Sequence, residues 1–276
     1  MSAIYYPPAD RTAQWFADEY PGVDMGGVEK VLLHTTEGGN WPSYDGGAKA
    51  PQLTYHATAH RWHQHFPLNR SARALQDPTG TPVRENRDRV VQVEIIASAD
   101  RAYARKHGLL YVEELDEQAI DDLGTFVGWM HREFGVPLVK AALWLPYPKS
   151  YGNSDARMTS AEYDAFRGVL GHQHASGNSH GDPGAIPINQ IMAVASASAG
   201  VGEDDYMATP AGQAQLNRIE QAVAKLAAAE AARYADLANR VQAGNDEERG
   251  RYKYYSDQFG AIRQELADDP ASPVQA

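Results

Sequence analysis

The chain has no cysteine in its 276 residues, so disulfides are excluded and any metal site must be built from imidazole and carboxylate donors. It has no apolar run near the roughly 20 residues of a membrane span, which argues against a membrane partner. Basic residues are in deficit, 25 against 36 acidic, for a net charge of −11. Phosphate binding needs a basic surface, so a nucleic-acid partner is not expected. The opening segment, MSAIYYPPADRTAQWF, has neither the basic start nor the apolar centre of a secretory signal, which predicts a protein made in the cytoplasm. Hydrophobic residues make up 43% of the chain and charged residues 22%, enough for an ordinary core and too little charge for wholesale disorder.

The most informative stretch is residues 171–184, GHQHASGNSHGDPG. It carries His172, His174, His180 and Asp182, and its Gly, Ser, Asn and Pro-Gly content predicts a shaped loop. Upstream, the apolar run Val31-Leu32-Leu33 leads into His34-Thr35-Thr36-Glu37-Gly38, a buried strand delivering an imidazole at its end. One histidine from a strand end plus a histidine and an aspartate from the distant loop would give zinc three protein ligands and leave a fourth position for water. A lone strand-end histidine is more often a packed core residue. The loop is what turns the balance towards metal.

Two further strands are expected. Leu53–Thr58 alternates, and Val90–Ile96 is apolar at most positions, as for a central strand buried on both faces. Within it Glu94 is a carboxylate that is costly to bury unless it has a partner or a task. Residues 116–134 recur as a helix through Ile120, Leu123, Val127, Met130 and Phe134, and Gly135 is placed to cap it. A second helix is expected from Ser160 to about Val169, opening on Ser-x-x-Tyr and not on a full capping box. Residues 37–52, rich in Gly, form a long loop expected to make one lip of a groove. These elements predict an α/β fold (α+β in some schemes), a central mixed sheet flanked by helices, followed by a helical C-terminal tail.

Ala195–Asp205 turns to small and acidic residues, a linker signature. Leu216, Ile219, Val223 and Leu226, then Tyr252, Tyr255, Phe259, Ile262 and Leu266, trace two narrow apolar stripes separated by Gly244-Asn245-Asp246. Each stripe needs a partner: the sibling helix, the first domain, or a second protomer in a homo-oligomer. The expected division is a first domain over 1–197 that carries the zinc site, a linker over 198–209, a helical hairpin or coiled-coil-like tail over 210–268 and a disordered end over 269–276.

The pairing of LLHTTEG with G-H-x9-D-P-G resembles the type-2 N-acetylmuramoyl-L-alanine amidases, whose fold is shared with peptidoglycan recognition proteins. The wording is most similar to amidase domains of endolysins from phages of actinobacteria, over about residues 25–195. The resemblance implies that His34, His172 and Asp182 hold Zn2+ and that His174 is not a ligand. It implies Glu94 as the catalytic carboxylate, and His180 as the residue acting on the oxyanion or the leaving amine. It also points to Tyr55, at a strand position where some members carry a functional tyrosine. The implied substrate is peptidoglycan and the implied role host-cell lysis, with the enzyme held in the host cytoplasm until something else releases it to the wall.

Two rivals stand beside this. A non-catalytic peptidoglycan-binding protein of the same fold would be expected to lack a ligand, and Asp182 speaks against it. A zinc peptidase cutting within the stem peptide would use the same chemistry. His56, His60, His63 and His65 also invite a second metal site, since His63 and His65 share a strand face. The favoured reading is polar positions of an outer strand flanking Trp62 and Phe66, and the family motif assigns no ligand there.

Overall fold

A computed structural model describes residues 4–200 and the isolated positions 228, 230 and 232. Apart from those three positions, the expected tail, and all but the first residues of the expected linker, lie outside the described residues. The described part is a six-stranded mixed sheet with helices packed against it, the α/β architecture expected. Its strands are β1 (Ala9–Asp10), β2 (Lys30–Thr35), β3 (Leu53–His56), β4 (Arg61–Gln64), β5 (Val90–Ile95) and β6 (Gly168–Gly171), in the spatial order β1-β4-β3-β5-β2-β6. Only β3 and β4 pair antiparallel. The central strands β2 and β5 are covered on both faces, which is why both read as near-continuous apolar runs. No helix among the described residues is long and apolar enough to cross a membrane.

The helices are α1 (Arg101–His107), α2 (Glu117–Phe134), α3 (Ser160–Ala165) and α4 (Ile188–Ser198). The Asp116 side chain caps α2 by accepting from the Ala119 amide, and Gly135, at φ 72°, closes it in the left-handed conformation. Helix α2 lies on the sheet face that carries Tyr55 and Trp62: Trp62 meets Phe126, with ring centroids 5.0 Å apart.

The last residues of α4, Ala195–Ser198, belong to the stretch whose composition reads as linker, so the linker reading fails there. The small side chains of 193–198 are instead a packing surface. A methyl at Gly124 of α2 would stand 2.5 Å from Val194 Cβ, and one at Gly128 would stand 2.7 Å from the Ala195 carbonyl oxygen. Small residues on both helices let the two backbones approach this closely.

The segment expected as one helix from Ser160 to about Val169 is two elements. Helix α3 ends at Ala165, and Gly168–Gly171 forms β6, parallel to β2. A short apolar run such as Gly-Val-Leu-Gly has no periodicity to separate strand from helix, and burial beside β2 decides it. No full capping box is expected at Ser160, but one residue earlier Thr159 and Glu162 form one, exchanging side chain-to-backbone hydrogen bonds.

Candidate metal centre

His34 is the fifth residue of β2, and the buried strand delivers its ring at the sheet's C-terminal edge. His172 follows directly on β6, the neighbour of β2, in a 3₁₀ turn over His172–His174. Asp182 returns at the far end of the loop and accepts a hydrogen bond from the Thr35 amide at 3.1 Å. Three buried side chains thereby converge from two adjacent strands and one loop, a group able to hold a metal ion.

The spacing fits. A tetrahedral ion with ligand bonds of about 2.0–2.1 Å separates its ligand atoms by about 3.3 Å. Here His34 Nδ1 and His172 Nδ1 are 3.0 Å apart, His172 Nδ1 and Asp182 Oδ1 3.1 Å, and His34 Nδ1 and Asp182 Oδ2 3.6 Å. His34 Nε2 is buried without a hydrogen-bond partner, so the ring's polar engagement runs through Nδ1 alone. Burial by itself would raise the Asp182 carboxyl, but the facing imidazoles of His172 and His34 outweigh it and hold Asp182 well below the usual carboxylate range.

Glu94 is the register partner of His34 across β2 and β5, so both side chains leave the same face of the sheet. It lines an open groove of about 940 Å³ together with His172, His180 and Asp182, and its Oε2 is buried without a partner. Burial pushes its carboxyl up to about 7 against the pull of His34, with Asp182 and Glu37 adding to the rise. His180 overhangs the same groove. Its ring is stacked on His172, centroids 4.7 Å apart and planes 14° apart, and its Nδ1 lies 3.8 Å from Asp182 Oδ1. The 37–52 loop contributes Ser43, Tyr44 and Lys49 to the groove wall, as expected of a lip.

Tyr55 does not belong to this site. Its side chain is fully buried on the opposite face of the sheet, where its hydroxyl donates to Asp122 of α2 at 2.6 Å. The neighbouring Thr54, register partner of Glu94, is the β3 residue on the groove side. His174 also turns away from the cluster, which agrees with its exclusion as a ligand. Its Nδ1 accepts from the Gly171 amide at 2.8 Å, its Nε2 donates to the Leu143 carbonyl at 2.7 Å, and burial pushes its pKa down to about 4.

The histidines of 56–65 are dispersed, and none joins a metal-competent group among the described residues. His63 lies flat on Trp41, centroids 3.5 Å apart. His60 sits beside Asp116 and Asp122. His65 is buried and its pKa is pushed down to about 4 by that burial. The Gln14 carbonyl, 2.8 Å from its Nδ1, can only accept, so Nδ1 carries the proton and Nε2 accepts from the Thr54 hydroxyl. Thr54 in turn accepts from Tyr44, whose hydroxyl is 2.6 Å away. That chain ties the groove lip to the sheet.

Two supporting residues carry no sequence signal of their own. The Arg157 guanidinium donates to the carbonyls of His172 at 3.0 Å, Ala175 at 2.8 Å and His180 at 2.6 Å, and to Asn178 Oδ1 at 3.2 Å. One planar fork thus holds the whole ligand loop. Buried Gln173 donates to the Gly184 carbonyl at 2.6 Å and accepts from the Leu145 amide at 2.9 Å, pinning the loop's two ends. No family model, curated protein or solved structure matches the chain.

Proposed function

We propose that the chain is a zinc-dependent N-acetylmuramoyl-L-alanine amidase. It hydrolyses the amide between N-acetylmuramic acid and L-alanine in peptidoglycan and serves as a phage endolysin. The observation that carries this reading is the convergence of His34, His172 and Asp182 beside a half-buried carboxylate, Glu94, whose Oε2 is buried without a partner and which lines an open groove. A cluster that only bound peptidoglycan would have no use for that carboxylate.

His34, His172 and Asp182 would hold the ion. When bound, zinc supplies a water acidified to about neutral pH and a polarised carbonyl. The remaining work falls to the chain. Glu94, raised towards neutrality by burial, takes the proton of the attacking water at a carboxylate oxygen, as a base tuned near the working pH does best. The exposed ring of His180, stacked over His172, delivers a proton to the departing amine from the open side of the groove. Arg157 keeps His172, His180 and the loop between them in one geometry.

The test is metal removal on purified sacculi. Chelated protein should release no soluble wall fragments, and one equivalent of zinc should restore release. Full activity in protein shown to be metal-free would overturn the reading.

A further inference from the structure

Glu37 stands three residues past His34 and lines both cavities that meet at Asp182. Its backbone is held at φ 52°, in the left-handed region, although the chain places glycine at the next two positions, where that conformation would come freely. A side chain in that region is strained, and such strain persists only where the surroundings over-determine it. Here they do, through three neutral donors on one carboxylate. Its Oε1 accepts from the Thr35 hydroxyl at 2.6 Å and from the Ala99 amide at 2.9 Å, and its Oε2 accepts from the Ser98 hydroxyl at 2.6 Å. Thr35 ends β2, the strand of His34, while Ser98 and Ala99 follow β5, the strand of Glu94.

Two contacts carry this hold onward to the ligand loop. The Thr35 amide orients Asp182 Oδ2 at 3.1 Å. A methyl at Gly184, two residues past Asp182, would stand 3.6 Å from Ala99 Cβ, so the end of the loop rests on the segment that Glu37 grips. Glu37 is not a member of the metal-competent group itself.

We infer that Glu37 is a positioning residue of the metal centre: its carboxylate locks Thr35 to Ser98 and Ala99, and that lock sets the angle at which Asp182 faces His34 and His172. The role rests on the metal-holding part of the proposed function and is indifferent to which bond is cut. What matters is the pair of acceptors and not the negative charge. A glutamine can reproduce the lock. Its Oε1 would accept from Thr35 and Ala99, and its Nε2 would donate to Ser98, whose hydroxyl can turn to the Asp100 carbonyl 3.2 Å away. An aspartate, one methylene shorter, cannot reach both strand ends.

The test uses full-length protein and two readouts: zinc affinity by chelator competition, and amide exchange at Thr35 followed by NMR in the metal-free state. Glu37 is exposed, so truncating it opens no cavity. Glu37→Ala should weaken zinc binding by about 10–100-fold, the usual scale for a residue that orients a ligand, and should speed exchange at Thr35. Glu37→Asp should behave like the alanine variant, and Glu37→Gln should stay near wild type in both readouts. Glu37→Gly relieves the backbone strain, so it should fold at least as stably as Glu37→Ala and still bind zinc as weakly. Unchanged affinity and unchanged Thr35 exchange in Glu37→Ala and Glu37→Gly would overturn the inference. So would a glutamine variant as impaired as alanine, since charge would then be the cause. The exchange readout needs no metal, so the two readings fail separately. Wild-type protein that takes up no zinc, while Thr35 loses protection in Glu37→Ala, would refute the zinc reading alone. Tight zinc binding that is indifferent to every Glu37 variant would refute the positioning role alone.

Discussion

The amide of Thr35, one residue past His34, donates to Asp182 Oδ2 at 3.1 Å. The strand that delivers the first candidate ligand therefore also orients the third, 147 residues further on in the chain. Because the carboxylate is fixed by backbone, its position depends on β2 keeping its register with β5 and β6, and so on the central sheet itself. The cluster is rigid on this side. On the other side the loop is held by Arg157, with Gln173 pinning its ends.

Replacing Arg157 by alanine removes that support without touching a ligand. Partners of this kind typically contribute 10–100-fold in metal affinity, so Arg157→Ala should weaken zinc binding by about that factor. Lysine, a point charge without the fork, should not rescue it. Chelator competition measures both. Unchanged affinity in Arg157→Ala would mean that the loop holds its shape unaided.

Glu94→Gln keeps the shape of the side chain but cannot take a proton. The rate of peptidoglycan hydrolysis should fall by roughly 10²–10⁴-fold with zinc content unchanged. His180→Ala should also retain metal and lose rate, by roughly 10²–10³-fold. Tyr55→Phe should leave the rate alone and cost stability, since it removes a buried bond to Asp122. Rate assays paired with metal analysis separate the three. A normal rate in Glu94→Gln would remove Glu94 from the chemistry.

Two buried imidazoles make the fold sensitive to acid. His65 and His174 are held neutral in the folded chain, each with a pKa near 4, whereas in the unfolded chain they titrate near 6.5. Between about pH 6.5 and 4 the unfolded chain therefore binds protons that the folded chain does not. Stability is complete above that window and is lost as the pH falls through it, by up to roughly 3 kcal/mol for each ring. Denaturant unfolding at pH 7 and pH 5 should show the loss, and His174→Gln should flatten it. Parallel curves for the variant and wild type would contradict this.

Much of the fold is legible in the sequence because its signals are local. The apolar run of β5 with Glu94 inside it, and the 3.6-residue rhythm of α2 with Gly135 at its end, depend on neighbours along the chain. What is not legible depends on partners. Alternation says that Thr54 and Tyr55 face opposite ways, but only the register of β3 on β5 says which of them meets Glu94. By residue chemistry His172 and His174 look equivalent in the loop; the family motif prefers His172, and the 3₁₀ turn shows which of the two faces the cluster. The small residues of α4 read as linker because their purpose, close approach to Gly124 and Gly128, lies about 70 residues away. Arg157 has no local signature, since apart from the Gly152 carbonyl its acceptors all lie in the 172–180 loop.

The central claim is which bond is cut. Purified peptidoglycan digested with the zinc-loaded protein and analysed by mass spectrometry should yield glycan strands freed of peptide and intact stem peptides with a new amino terminus at L-alanine. Fragments ending within the stem would instead make the chain a peptidase, and undigested wall in the presence of bound zinc would contradict hydrolysis altogether.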